Sequence, residues 1–199
     1  MSFLKNKEIC YILLGHEINQ LNFQLSQTSK ERCKVLAEDI ERSSNSNYFV
    51  LFMGLGRLQG ECKLSISECM FEYFKNEFFI PKDYVIDKNS VDTVGDIIFS
   101  IQFLKKIQYK NLIKLATSDW HYKRCDFIIK KIYESLNNFS FLLTSELENL
   151  KKEDKNLILE KEKESIIAFK KSFKYYDYRT TEPYLYLRDN HDFYKHIKL

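Results

Sequence analysis

The chain has 199 residues, of which 44% are hydrophobic and 30% charged, with a net charge of +3. That length suits one domain with a full hydrophobic core, and the mixed charge describes a solvated surface rather than a basic stripe, which leaves nucleic acid out as the main partner. Five cysteines, an odd number without a CxxC pair, argue against a disulfide framework and a structural zinc site and fit a reducing compartment.

The first apolar run, ICYILLG, follows Lys5 and Lys7. It is too short for a signal-peptide core or a bilayer span, so the expectation is a cytoplasmic chain with no membrane span. EICYILLG reads as a β-strand ending in Gly15, and SKERCKVLAEDIERS as a helix with Cys33, Leu36, Ala37 and Ile40 on its apolar face. NYFVLFMG is a second buried strand. SISECMFEYFKNEFF opens as a helix with a capping box from Ser65 to Glu68, and Pro81 closes the connection after it. A short strand, DYVID, leads into the helical pattern SVDTVGDIIFSIQFLKKI. NLIKLATS is the fourth strong strand and WHYKRCDFIIKKIYESL the helix after it. NFSFLLTS reads as a fifth strand, EKEKESIIAFKKSFKYY as a helix, and the aromatic tail DYRTTEPYLYLRDNHDFYKHIKL either packs back over the sheet edge or stays loose. Strands buried on both faces and separated by helices predict an α/β fold, a three-layer sandwich around a mostly parallel, Rossmann-like sheet. The expected organisation is a single domain over residues 1–199, with 140–199 as a C-terminal strand, helix and tail extension.

In such folds ligands sit at the carboxyl ends of the strands, so the strand-end residues are the candidates. The first strand ends in Gly15, His16 and Glu17, and the second in GLGRLQG, with Gly54, Gly56, Arg57 and Gly60. Those glycines do not have the GxGxxG spacing and the run lacks a P-loop lysine, and a glycine after a strand is more often a matter of turn geometry. The fourth strand ends in TSDWHYKR, which gathers Thr117, Ser118, Asp119, His121 and Arg124. With Ser118 or Asp119 as helix cap, His121 falls in the first turn and Arg124 one turn on along the same face. Free backbone N–H groups and a guanidinium there form an anion site, and the helix dipole favours a neutral, proton-accepting His121. The alternative reading makes Asp119 a cap and His121 a wet first-turn residue. Asp92 and Asp96, four apart with Thr93 between them, serve either a ligand or a helix start. Glu68 is fully explained by its capping box. No spacing rule assigns a metal to the acids around His121.

The order ILLG, KERCKVLAEDI, FVLFMGLG, SISECMFEYF, KNSVDTVGDIIFSIQFLKK and LIKLATSDWHYKRCDFIIKKI, over residues 8–135, resembles the ElyC/SanA/YdcF family. The matching positions are Gly15, Arg32, Gly54, Glu68, Ser90, Asp92, Thr93, Thr117, Ser118, His121 and Arg124. His16 stands where that family commonly has a second glycine, Met53 replaces a small serine, Leu55 interrupts a glycine pair, and Asp192 takes the place of an expected proline. The chain is similar to the soluble, YdcF-like members, without the membrane anchor of other relatives. The resemblance implies binding of S-adenosylmethionine or another adenine-containing ligand, and, by analogy, work on envelope or surface-polysaccharide precursors.

Two functional expectations follow. In the first, the chain is a transferase or hydrolase that holds a nucleotide-like or phosphorylated small molecule with Gly15, His16, Arg32, Gly54, Gly56, Glu68, Ser90, Thr93, Asp96, Thr117, Ser118 and Arg124. His121 is then the acid/base or nucleophile, oriented by Asp92 or Asp119. In the second, the same pocket binds without turnover and the tail meets a partner protein.

Overall fold

The computed structural model describes residues 2–18, 24–43, 47–55, 64–133, 138–177, 179–191 and 193–194. After a 3-10 turn at Ser2–Asn6 the elements run β1 (Ile9–Leu14), α1 (Gln27–Ser43), β2 (Tyr48–Met53), α2 (Ile66–Glu77), β3 (Tyr84–Ile86), α3 (Thr93–Lys106), β4 (Leu112–Ser118), α4 (Tyr122–Ile132), β5 (Phe139–Thr144), a 3-10 turn at Leu147–Asn149, α5 (Lys152–Ser172) and α6 (Pro183–Asn190). The five strands form one sheet in the order β3-β2-β1-β4-β5, every pairing parallel. The fold is a three-layer α/β sandwich of Rossmann type.

Side-chain alternation along the central strands divides the core. Tyr11, Leu13, Val50 and Phe52 pack with Leu36 of α1 and Phe74 of α2. Cys10, Ile12, Leu14 and Leu51 face the opposite layer, where Ile97 and Ile101 of α3, Ile128 of α4 and Phe169 of α5 meet them. β1 and β2 are therefore buried at every residue, which is why they read as unbroken apolar runs rather than alternating ones. β3 is the partly exposed edge strand.

This strand order makes the site. β1 leads through α1 to β2 on one side, whereas β4 lies on the other side of β1, so the chain reverses direction in the sheet between β1 and β4. Crossover helices leave a crevice at such a switch point. The register pairs Leu14 with Met53, Leu13 with Ala116 and Ser118 with Thr144, so Gly15, Gly54, Ser118 and Thr144 end their strands at nearly one level.

Three details differ from the expectation. α5 begins at Lys152, with Glu153 and Asp154 in its first turn, where acids favour the helix dipole; the reading from sequence began it near residue 160. α6 was not anticipated, although Pro183 in its first turn is a helix-start signal. The tail packs back, but on α3 rather than over a sheet edge, with Leu187 and Tyr194 fully buried. Among the described residues no helix is long and apolar enough to cross a membrane, and Cys10, Cys33 and Cys125 are buried free thiols. Cys62 lies outside the described residues.

Candidate functional site

At the switch point two arginines from different helices converge on one imidazole. Arg32, in α1, is fully buried. Its Nη1 donates to the carbonyls of Leu14 (3.1 Å) and Gly15 (3.0 Å), its Nε donates to Ser118 Oγ (3.0 Å), and its Nη2 lies 3.3 Å from His121 Nδ1. The guanidinium thus ties the end of β1 to the end of β4. A buried cation needs such bonds to offset its lost hydration, and burial still lowers its pKa to about 10. Trp120 lies under it, 5.6 Å from ring centre to guanidinium carbon.

From the other side Arg124, on α4, brings Nη2 to 2.8 Å from His121 Nε2 and donates to Thr93 Oγ1 at 3.2 Å. Its Nε is 3.1 Å from Glu162 Oε2 on α5, yet neither atom makes a hydrogen bond. The pair is close enough for Coulomb attraction while the N–H points past the carboxylate, so we read it as an ion pair without a directed bond. Among the described residues no carboxylate accepts a hydrogen bond from either guanidinium.

His121 itself is 3% exposed. Thr117 Oγ1 is 2.9 Å from Nδ1 and Thr93 Oγ1 3.1 Å from Nε2. Burial first, then the charges of Arg32, Arg124 and His16, holds its pKa well below the ordinary histidine value. The imidazole is neutral at physiological pH, as expected from sequence, although the dominant cause is burial and two arginines. Cys125 lies against the same ring at 3.8 Å, but burial pushes its thiol up to about 12 and leaves it inert as a nucleophile.

The helix start differs from the expected one. His121 occupies the cap position of α4 and makes no side-chain cap. Ser118 Oγ donates to Glu146 Oε1 at 2.8 Å instead. Asp119 accepts from the backbone of Trp120 (2.8 Å) and from Leu147 N (3.0 Å), tying the turn after β4 to the 3-10 turn after β5. Asp92 caps α3 by accepting from Gly95 N (2.9 Å), and takes further bonds from Tyr194 Oη (2.9 Å) and His191 Nε2 (3.1 Å). Burial opposes ionisation of Asp92, but His191 and these donors outweigh it and lower its pKa. Neither acid touches His121, so the expected orienting role for Asp92 or Asp119 is corrected: Thr117 and Thr93, with the two arginines, hold the ring.

The other candidates divide. Thr93, Thr117, Ser118, Arg32 and Arg124 form one cluster with His121. His16 borders it, its ring edge-on to Trp120 at 5.6 Å and its Nδ1 3.3 Å from Ser26 Oγ. Gly15 is required by packing, because a Cβ would come within 2.3 Å of Ile66 Cγ2. Gly54 has φ +118°, a conformation that excludes L side chains, and a Cβ there would lie 3.7 Å from Asp96 Oδ1. Glu68 is spent on its capping box and on Lys88, which hold its pKa down at about 2. Ser90, fully buried, donates to Asp87 Oδ2 at 3.0 Å. Gly56, Arg57, Gly60 and Asp192 lie outside the described residues.

Glu146 was missed. It accepts from Thr28 (2.8 Å), Ser118 (2.8 Å), Thr144 (2.9 Å) and Trp120 Nε1 (3.2 Å), so one carboxylate joins α1, β4 and β5. Burial opposes its charge, but these hydrogen bonds prevail and lower its pKa. A glutamate directly after a strand that ends Thr-Ser was the available signal. Among the described residues no group of three or more His, Cys, Asp or Glu is placed to hold a metal ion. Comparison with protein-family models, with curated proteins and with solved structures finds no match.

Proposed function

We propose that the chain binds a phosphorylated or nucleotide-like small molecule in the crevice between the carboxyl ends of β1 and β4. The observation that carries this reading is the convergence of Arg32 and Arg124 on neutral His121, with no carboxylate among the described residues hydrogen-bonded to either guanidinium. Two cations meet at an uncharged ring in a buried setting, balanced by the undirected ion pair of Arg124 with Glu162 and, through Ser118, by Glu146 near Arg32; an anion that reaches the guanidinium donors there is worth more than it is in water. Arg124 supplies the adjustable half: it is partly exposed, its bond to Glu162 is undirected, and its fork suits phosphate. Arg32 is fixed by its carbonyl bonds and sets the field from behind.

In this reading the chain is a YdcF-like protein of the ElyC/SanA/YdcF family, working in the cytoplasm, which the free and mostly buried thiols suit. Candidate ligands are sugar phosphates, nucleotides and S-adenosylmethionine. The adenine-containing class rests on the resemblance alone.

Turnover is the second reading, as a transferase or hydrolase of envelope or surface-polysaccharide precursors. One observation favours it: an imidazole held neutral beside two cations keeps an unprotonated lone pair at the site. An anion that draws Arg124 away from Nε2 would uncover that lone pair. A thermal-shift panel of nucleotides, S-adenosylmethionine and phosphosugars, run on wild type and Arg124→Ala, tests the binding. A ligand that raises the wild-type midpoint alone supports it. His121→Ala then separates the readings: loss of turnover with affinity kept within about tenfold assigns catalysis.

A further inference from the structure

Asp96 is 5% exposed, and its Oδ1 has no hydrogen-bond partner. A buried carboxyl oxygen without a partner is costly, and native structures keep such groups where something else uses them. Its position shows what that is. Thr93 and Asp96, three apart on α3, share a helix face. Thr93 touches His121 and Arg124 at the end of β4, while Asp96 faces Gly54 at the end of β2. Gly54 cannot carry a side chain at its φ of +118°, and on its open side a methyl-sized space lies between Asp96 Oδ1 and Ile66. Here a glycine turn, a buried acid and the start of a helix meet on the rim that holds the arginines.

We propose that Asp96 is the polar end of the same pocket and that the ligand is a phosphate ester of a polyol, a pentose or hexose phosphate type, whose sugar hydroxyl bonds Asp96 Oδ1 over Gly54 while its phosphate meets Arg124. This rests on the phosphate-binding reading above. β2 and β4 are separated by β1, two strand spacings or roughly 10 Å, a span that a phosphorylated sugar bridges and a bare phosphate ion does not. Asp96 suits a hydroxyl in particular. Burial first, then the charges of Asp92 and Asp87, raises its pKa to about 8 against the nearby Ser90 hydroxyl and the charge of Arg32, so at neutral pH it is largely the acid. The protonated group both donates and accepts, as a hydroxyl does, and places no second negative charge near the phosphate.

The test is isothermal titration of glucose 1-phosphate, ribose 5-phosphate and n-butyl phosphate, which carries the same charge and no hydroxyl. Wild type should bind at least one sugar ester about tenfold or more tightly than butyl phosphate, because a site built to hydrogen-bond a hydroxyl is left unpaired by the analogue lacking it. Asp96→Leu, which keeps a branched shape without the oxygens, should bring the esters within about threefold of one another. Arg124→Ala should lose all three. If wild type binds the esters equally, or a folded Asp96→Leu keeps the sugar preference, the role of Asp96 is wrong while the phosphate site stands. If wild type binds no ester, both fall. Equal binding of the esters by wild type rules the role out even if the Leu variant does not fold.

Discussion

Arg124 Nη2 lies 2.8 Å from His121 Nε2, and because a guanidinium can only donate, Nε2 is the ring nitrogen without a proton. The proton then sits on Nδ1 and is donated to Thr117 Oγ1 at 2.9 Å. Arg32 at 3.3 Å from Nδ1 becomes an electrostatic neighbour rather than a donor. Nitrogen-detected NMR of labelled histidine should show the Nδ1–H tautomer and a His121 that is still neutral where an ordinary histidine is half protonated, since burial, then the charges of Arg32 and Arg124, hold its pKa well below the usual value. A His121 that titrates near the ordinary value would show that the ring is hydrated and the arginines are elsewhere.

Glu162 competes with any bound anion for Arg124. Glu162→Gln removes that competition and a negative charge, so affinity for a phosphate ester should rise about threefold to tenfold at low salt, less at high salt. Titration at two ionic strengths measures it. A weaker complex would mean that Glu162 positions Arg124 for the ligand.

Asp96 makes native stability depend on pH in the direction opposite to most carboxylates. Its native pKa is raised to about 8, whereas the unfolded chain releases the proton near 4. Between those values the native state binds the extra proton, so stability falls as pH rises. Asp96→Asn lacks this fall. Relative to wild type it should gain on the order of 2 kcal/mol between pH 5 and pH 8, read from urea denaturation at each pH.

Glu146 acts the other way. Its lowered pKa contributes stability that is present above the unfolded glutamate value and lost as pH drops through the native one. Glu146→Ala at pH 7 leaves the groups of Thr28, Ser118, Thr144 and Trp120 short of an acceptor and should cost about 2 kcal/mol, measured by the same denaturation. A neutral result would mean that water replaces the carboxylate.

Gly95 tests the seat of the tail. A Cβ there would lie 1.8 Å from Tyr194 Oη, which donates to Asp92 and accepts from Val91 N. Gly95→Ala should dislodge the tail and expose it to limited proteolysis. In a Tyr194→Ala background the same substitution should stabilise by up to about 1 kcal/mol, the ordinary helix gain of alanine over glycine. That change of sign is the expected non-additivity.

The sheet was legible because β1 and β2 are apolar without interruption, and α2 because its Ser65 to Glu68 box is local chemistry. His121 and Arg124 were legible from their place after a strand. The supporting partners were less so: only its place after the Thr-Ser end of the fifth strand marks Glu146, and Glu162 is brought in from α5 by tertiary packing, which no local spacing encodes. Asp119 misled for a related reason. Its sequence position suits a helix cap, yet the loop after β5 offers it Leu147 N. The tail was ambiguous because α6 is short and its burial depends on Gly95 of α3 leaving room for Tyr194.

If the junction of Arg32, His121 and Arg124 holds a phosphate, Arg124 carries a measurable share of its affinity. Phosphorus NMR or calorimetric titration of wild type and Arg124→Ala with ribose 5-phosphate, at low salt and beside a circular-dichroism check of folding, tests it most directly. Wild type should bind saturably, and a folded Arg124→Ala should lose at least tenfold in affinity, about 1.4 kcal/mol. Equal binding by the two proteins, or none by wild type to any phosphate ester, would contradict a phosphate site at this junction.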